Sequence, residues 1–108
     1  MTVKDLSQVE GLKAHHVAEG DQAVKDIYCG DLLSDVMANA QEDSALLTIQ
    51  AHKNTVAVAS LLGLGVIVLC NGRTPPSDMI EAAKSEDISI FSSSANHYKT
   101  ALAITPFL

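Results

Sequence analysis

The sequence predicts an α/β fold, a single small domain with a largely parallel central sheet flanked by helices. Three units of about 20 residues, each a candidate strand followed by a candidate helix, predict it: Ala45–Leu62, Gly65–Glu86 and Ile88–Ile104. Strands that alternate with helices imply parallel pairing through right-handed crossovers. The strand candidate Gly65–Cys70 is an unbroken β-branched and aliphatic run, which is typical of a central strand covered on both faces.

Before these units the sequence predicts a short helix and two strands. Thr2 and Asp5 form a T-x-x-D capping box that opens the helix, and Gly11 ends it. Leu12–Ala18 and Val24–Cys29 are strand candidates on either side of a turn. We therefore expect a β-arm, or hairpin-like start, with the second strand near an edge of the sheet.

The helices that follow have recognisable starts. Gly30–Ala40 is amphipathic, because its apolar residues recur with helical spacing. Side-chain caps and prolines mark the starts of the other three. The expected residues are Asn54 or Thr55 for the helix Asn54–Leu62, Thr74 with Pro75 and Pro76 for the next, and Ser93 or Ser94 for the last.

Composition limits the function classes. With 108 residues, 47% of them hydrophobic and 19% charged, the chain is one compact globular domain over residues 1–108. The net charge of −6 argues against a nucleic-acid partner and against an anionic membrane surface. The longest apolar stretch, Ala59–Cys70, is too short to span a bilayer, and the N-terminus has no secretory signal. We expect a cytoplasmic protein whose cysteines are reduced.

The segment Asp21–Ala40, followed by TIQAHKNTVAVASLL, resembles the DRTGG domain family, and GDLLSDVMANA is its most specific piece. The resemblance spans nearly the whole chain, from the opening TVKDL to NGRTPPSDMIEAA. It implies a small α/β domain similar to the N-terminal domain of HPr kinase/phosphorylase. Such domains are regulatory or dimerising units without established chemistry of their own, and the chain has no GxxxxGK[ST] motif for kinase activity.

The family's name-giving motif is degraded in this chain. Asp21, Val24, Tyr28 and Gly30 fit its frame. Gln22 stands where the family has its arginine, Lys25 where it has its threonine, and Asp26 where it has its glycine. The departures bear on any binding that depends on the arginine and leave the fold untouched.

A ligand site is expected at the carboxyl ends of the strands, where helix N-termini point in an open parallel sheet. Exposed N–H groups and nearby cations there suit a phosphate or a carboxylate. The alternative is that the polar residues are ordinary caps and turns. Asn71-Gly72-Arg73 is the first choice, since an arginine beside a glycine turn can bind an anion through two hydrogen bonds. The candidate ligand residues are His52, Asn54, Asn71, Gly72, Arg73, Ser92 and Ser93.

No pattern in the chain predicts a cofactor, a metal site or a catalytic centre. The adjacent His15 and His16 point to opposite faces of a strand, so they do not easily share a metal. Cys29 and Cys70 have neither a CxxC spacing nor an obvious base partner. The serines Ser92–Ser94 lack a G-x-S-x-G elbow. We expect no cofactor, no metal and no enzymatic activity.

The helix Asn54–Leu62 carries no charge, and its apolar residues occupy most of its circumference. One sheet covers only one stripe of such a helix, so the rest needs an adjacent helix or a second copy of the chain. A symmetric homodimer would place this helix, or the helix Gly30–Ala40, across a two-fold axis. The candidate interface residues are Leu32, Leu33, Val36, Val56 and Ala59.

Three functions remain open, and the first two are favoured. The first is a regulatory or ligand-sensing module of the DRTGG type that forms a homodimer and binds a small anion or nucleotide at the carboxyl ends of the strands. The second is a domain for dimerisation or for docking a protein partner, without a ligand. An enzyme that uses Cys29 or the serine loop is a third reading.

Overall fold

A computed structural model describes all 108 residues and shows one five-stranded sheet with helices on both faces. The strands are β1 (Leu12–His16), β2 (Asp26–Cys29), β3 (Ser44–Thr48), β4 (Val66–Leu69) and β5 (Ser89–Ser93). Their order in the sheet is β1-β5-β4-β3-β2, and only β1 runs antiparallel to its neighbour. The predicted α/β class is confirmed.

The helices connect the strands as the three predicted units require. They are α1 (Leu33–Asn39), α2 (Lys53–Leu62), α3 (Ser77–Ser85) and α4 (His97–Ile104). A 3₁₀ helix at Val3–Gln8 precedes β1, and a shorter one at Thr105–Phe107 follows α4. No helix has the length and apolar character that crossing a bilayer requires.

The core has two halves because each central strand is buried on both faces. Every residue of β3, β4 and β5 is buried. Alternate side chains of a strand point to opposite faces, so Leu47, Val68 and Phe91 pack with Ile104 of α4 and the N-terminal 3₁₀ helix. Their sequence neighbours pack on the other face with residues of α1, α2 and α3, for example Met79.

The start of the chain corrects one expectation. The Thr2–Asp5 capping box is present, with the Thr2 N–H donating to the Asp5 carboxylate at 2.8 Å, although the helix that it opens is 3₁₀. β1 and β2 do not pair as a hairpin. They are the two opposite edges of the sheet, because β1 pairs with β5 and β2 with β3. The prediction that the second strand lies near an edge is confirmed.

The helix caps also differ from the predicted residues. His52 caps α2 by accepting from the Asn54 N–H at 3.1 Å, so Asn54 and Thr55 lie inside the helix. Asn96 caps α4 by accepting from the Lys99 N–H at 2.9 Å. Pro76 is the cap residue of α3, in agreement with the predicted proline start. Both corrections move the cap to a side chain that reaches the second or third N–H of its helix.

Helix α2, which carries no charge after its first residue Lys53, is covered within the chain. It lies between α1 and α3, and with the sheet these helices bury Thr55, Val56 and Ala59. It ends at Gly63, whose φ of 73° is left-handed and lets its N–H donate to the carbonyls of the last turn. Neighbouring helices of the same chain, the first of the two predicted alternatives, therefore cover most of the apolar surface of α2. Leu61, 71% exposed, is the large apolar side chain of α2 that remains in solvent.

The core predicts a sharp contrast between two truncations. Ile67 in β4 is fully buried, so Ile67→Ala should lower the free energy of unfolding by about 2–5 kcal/mol through lost burial and a cavity. Leu61→Ala, the same kind of truncation at an exposed position, should change it by less than about 0.5 kcal/mol. Urea denaturation followed by circular dichroism measures both, and equal losses would contradict the assigned burial.

Candidate functional site

Four loops meet at the carboxyl edge of the parallel strands, where the site is predicted. They follow β2, β3, β4 and β5 and lead into α1, α2, α3 and α4. Two of them touch directly, because the Asn71 N–H donates to the Ala95 carbonyl at 2.9 Å and the Gly72 N–H to the Ser93 carbonyl, also at 2.9 Å. The edge is thus a connected surface with shared hydrogen bonds.

Asp31 is the centre of this edge. Its Oδ1 accepts hydrogen bonds from the Ile49 N–H at 2.8 Å, the Thr48 hydroxyl at 3.1 Å and His97 Nε2 at 2.9 Å. The Asp31 carbonyl also accepts from the Gln50 side chain at 2.8 Å. One residue therefore joins the loop after β2, the end of β3 and the first residue of α4.

The surroundings of Asp31 favour its charged form. Partial burial works to raise the pKa of this carboxyl, but the hydrogen bonds from the Ile49 N–H, from His97 and from Thr48 lower it by more. The pKa of Asp31 therefore lies below the ordinary value of an aspartate. The ionised carboxylate accepts from His97 Nε2, and together they form a 2.9 Å ion pair when the imidazole is protonated.

The sequence did not single out Asp31, Thr48 or His97 as site residues. The predicted helix Gly30–Ala40 includes Asp31, but α1 begins at Leu33, so Asp31 lies in the loop. A carboxylate two residues after a strand and a histidine at a helix start were the available signals. Their contact spans 66 positions of the chain, and only the tertiary structure brings them together.

The backbone N–H groups of the turn Asn71-Gly72-Arg73 all have partners within the chain. Asn71 and Gly72 adopt left-handed φ values of 58° and 71°, which turns the chain sharply after β4. Their N–H groups bind Ala95 and Ser93, and the Arg73 N–H binds the Cys70 carbonyl at 3.2 Å. The Arg73 side chain, by contrast, is exposed and makes no ion pair with a carboxylate of the chain.

The two predicted serines are structural and do not line an open loop. Ser92 and Ser93 belong to β5 and are buried. The Ser92 hydroxyl hydrogen-bonds to His15 Nε2 at 2.7 Å, and that of Ser93 to the Thr100 hydroxyl at 2.9 Å. Because both hydroxyls have partners inside the fold, Ser92 and Ser93 are removed from the candidate ligand set. His52 and Asn54 remain exposed at the start of α2.

The five candidate interface residues also separate into buried and exposed ones. Val36, Val56 and Ala59 are at most 1% exposed and belong to the core under α1, α2 and α3. They cannot touch a second copy, because the chain's own sheet and helices already surround them. Leu33 is half-buried, and only Leu32 of the five is well exposed.

The two cysteines differ in accessibility and neither is activated. Burial and the nearby Asp31 charge raise the pKa of Cys29, although its thiol reaches solvent. Burial likewise raises the pKa of Cys70, which is fully enclosed at the end of β4. A raised pKa lowers the thiolate fraction at neutral pH, which is the opposite of what a nucleophilic cysteine needs.

The degraded signature begins at the opposite, amino edge of the sheet. Gln22, which stands at the position of the family's arginine, donates to the Asp87 carbonyl at 2.8 Å and packs against Gly65. It lines a cleft of about 220 Å³ that also contains Asp43 and Glu86. Gly30, at the far end of the segment, has a steric role, since a Cβ there would lie 3.0 Å from the Tyr28 ring.

Charge is divided between the two edges. The carboxyl edge holds four of the seven Lys and Arg residues, namely Lys13, Lys53, Arg73 and Lys99, beside the carboxylates Glu10, Asp31, Asp35 and Asp78. The amino edge is dominated by the carboxylates Glu19, Asp21, Asp26, Glu42, Asp43, Glu86 and Asp87. The carboxyl edge is therefore the less negative of the two edges, and it repels an approaching anion less.

These features define a small three-layer α/β domain with a polar carboxyl edge and an acidic amino edge. No protein-family model and no curated protein sequence matches this chain. Its fold is similar to the crystal structure of the CBS and DRTGG domains of the regulatory region of Clostridium perfringens pyrophosphatase, complexed with the activator diadenosine tetraphosphate. The TM-score is 0.73 at 13% sequence identity.

The alignment covers 95% of this chain and 45% of the pyrophosphatase chain, so our protein spans less than half of that region's length. At this identity the likeness is one of fold. It supports a DRTGG-like or CBS-like fold, in agreement with the family resemblance of the sequence.

The Asp31 network predicts a pH-dependent contribution to stability. The pKa of Asp31 is lower in the folded than in the unfolded chain, so the unfolded chain binds the proton more tightly and stability rises with pH. Asp31→Asn keeps an oxygen acceptor and removes the charge. The wild-type advantage should be full above about pH 4, the ordinary aspartate value, and should vanish as the pH falls through the folded pKa.

Urea denaturation at several pH values between neutral and about pH 3 measures this difference. Asp21→Asn is the matched control, because the Asp21 side chain is 80% exposed and its nearest cation, Lys4, is 3.9 Å away. A difference between wild type and Asp31→Asn that stays constant with pH, or that Asp21→Asn reproduces, would contradict the assignment.

Proposed function

We propose that this chain is a non-catalytic regulatory module of the cytoplasm that senses a small anion, or the phosphate groups of a nucleotide, at the carboxyl edge of its sheet. The observation that carries the proposal is the Arg73 guanidinium, exposed on the less negative edge and unpaired with any carboxylate of the chain. Its planar fork of donors can bind a phosphate or carboxylate through two hydrogen bonds.

The surroundings of Arg73 complete the proposed site through side chains. Asn71 lies two residues away in the same turn, and His52 and Asn54 are exposed at the start of α2 on the same edge. Because the N–H groups of the turn are occupied, we assign selectivity to these side chains and to Arg73. Adenine nucleotides are the first ligands to test, since the similar pyrophosphatase region is complexed with a dinucleotide activator.

We further propose that the module is a homodimer. Four large apolar side chains are exposed on α4 and on the C-terminal segment that follows it, namely Tyr98, Leu102, Phe107 and Leu108. We call this surface the α4 face. Tyr98 and Leu102 are four residues apart, so they share one side of the helix. Apolar patches of this kind are typical of interaction surfaces. The same face supports the second candidate function, docking of a protein partner without a ligand.

Arg73 gives the test of the anion site. Titration of the ¹⁵N-labelled chain with inorganic phosphate and with ATP should produce saturable amide shifts in the loops after β3 and β4. Arg73→Ala should weaken both affinities about tenfold, the loss expected for a charge-assisted contact. Lys84→Ala removes the same charge from the end of α3 and should change nothing. The absence of saturation at millimolar ligand, or equal binding by Arg73→Ala, would refute the site.

Sedimentation equilibrium tests the dimer. Wild type should show a dimer mass at micromolar concentration, and Leu102→Glu should be monomeric because it places a charge in the α4 face. Leu61→Glu, at an exposed leucine of α2, is the control and should remain dimeric. A monomeric wild type refutes the dimer, whereas dissociation by Leu61→Glu and not by Leu102→Glu would move the interface to α2.

A further inference from the structure

A second cleft, of about 260 Å³, lies between α2 and α3; it shares Asn54 with the proposed anion site but does not include Arg73. Its floor is apolar, formed by Val56, Ala57 and Ala82. Its charged lining residues are one cation, Lys53, and one carboxylate, Glu86. The volume is below the range of about 300–1,000 Å³ that is typical of pockets for drug-sized ligands, so a ligand that fits it is small.

The two charges lie at opposite ends of the cleft. The Ser60 hydroxyl donates to Glu86 Oε2 at 2.9 Å, which holds this carboxylate beside the second half of α2. Lys53 lies seven residues before Ser60, about 10 Å along a helix that rises 1.5 Å per residue. The Lys53 side chain closes part of that distance, and it forms no ion pair with Glu86 or another carboxylate.

An apolar floor between a fixed carboxylate and an unpaired ammonium is complementary to a short molecule with opposite charges at its two ends. We propose that this cleft binds a small zwitterion, of ω-amino-acid to dipeptide size. Its carboxylate meets Lys53, its ammonium meets Glu86, and its apolar middle covers Val56, Ala57 and Ala82. A single anion would leave Glu86 unpaired and repelling, and a single cation would do the same at Lys53.

The probe for this site is the dipeptide Ala-Ala. Titration of the ¹⁵N-labelled chain should give saturable shifts at Val56, Ala57 and Ala82, with a dissociation constant in the millimolar range expected for so few contacts. N-acetyl-alanine methylamide has a similar size and no charges, and it should not bind. Binding of the capped compound with equal affinity would overturn the proposal, as would the absence of saturation by Ala-Ala.

Charge variants make the test specific. Lys53→Met and Glu86→Gln should each weaken Ala-Ala about tenfold, because each removes one charge-assisted contact. Lys84→Met and Glu81→Gln remove the same charges from α3 outside the cleft and should bind as wild type does. Unchanged affinity in either cleft variant would overturn the proposal.

The double exchange Lys53→Glu with Glu86→Lys is the sharpest variant. A zwitterion can bind it by reversing its direction, so Ala-Ala affinity should recover most of what the single variants lose. Failure to recover in a folded double variant would contradict the assigned orientation. Arg73 does not line the cleft, so Arg73→Ala should leave Ala-Ala binding unchanged while it weakens phosphate binding, and the two proposals can fail separately.

Discussion

Burial of the three central strands on both faces is the constraint on which the rest of the structure depends. Every side chain of β3, β4 and β5 is removed from water, so each face of the sheet needs a layer of helices. α1, α2 and α3 supply one layer, and the N-terminal 3₁₀ helix and α4 supply the other. With both faces covered, polar groups that serve a ligand can lie only at the strand ends or on the outer helix surfaces.

Backbone hydrogen bonds then decide what the strand ends can do. The loops after β4 and β5 form hydrogen bonds with each other, and these fix the turn that carries Arg73. The N–H groups that an anion would need are used in these hydrogen bonds. The Asp31 carboxylate links the loop after β2 to the end of β3 and to the start of α4 through its hydrogen bonds. The backbone of the carboxyl edge is therefore held by these hydrogen bonds, and we assign recognition there to side chains that project from it.

The two edges of the sheet also differ in charge. The overall charge of −6 is unevenly distributed. The carboxyl edge carries most of the exposed cations, and the amino edge carries most of the exposed carboxylates. The positions belong to separate loops, and parallel strand order collects them at one end or the other. The two proposed sites use different parts of this pattern, Arg73 at the edge itself and the Lys53–Glu86 pair on the outer surface of two helices.

The sequence by itself determined the α/β class, the three strand–helix units, the two-sided burial of β4 and the Thr2–Asp5 box, because hydrophobic periodicity and capping chemistry are local. It also placed Arg73 at a strand end. Only the tertiary structure decided that β1 and β2 lie at opposite edges, that Ser92 and Ser93 face buried partners, that Val36, Val56 and Ala59 are covered by the chain itself, and that Asp31 meets His97. These depend on strand order and helix packing, which join residues far apart along the chain and leave no local periodic signal.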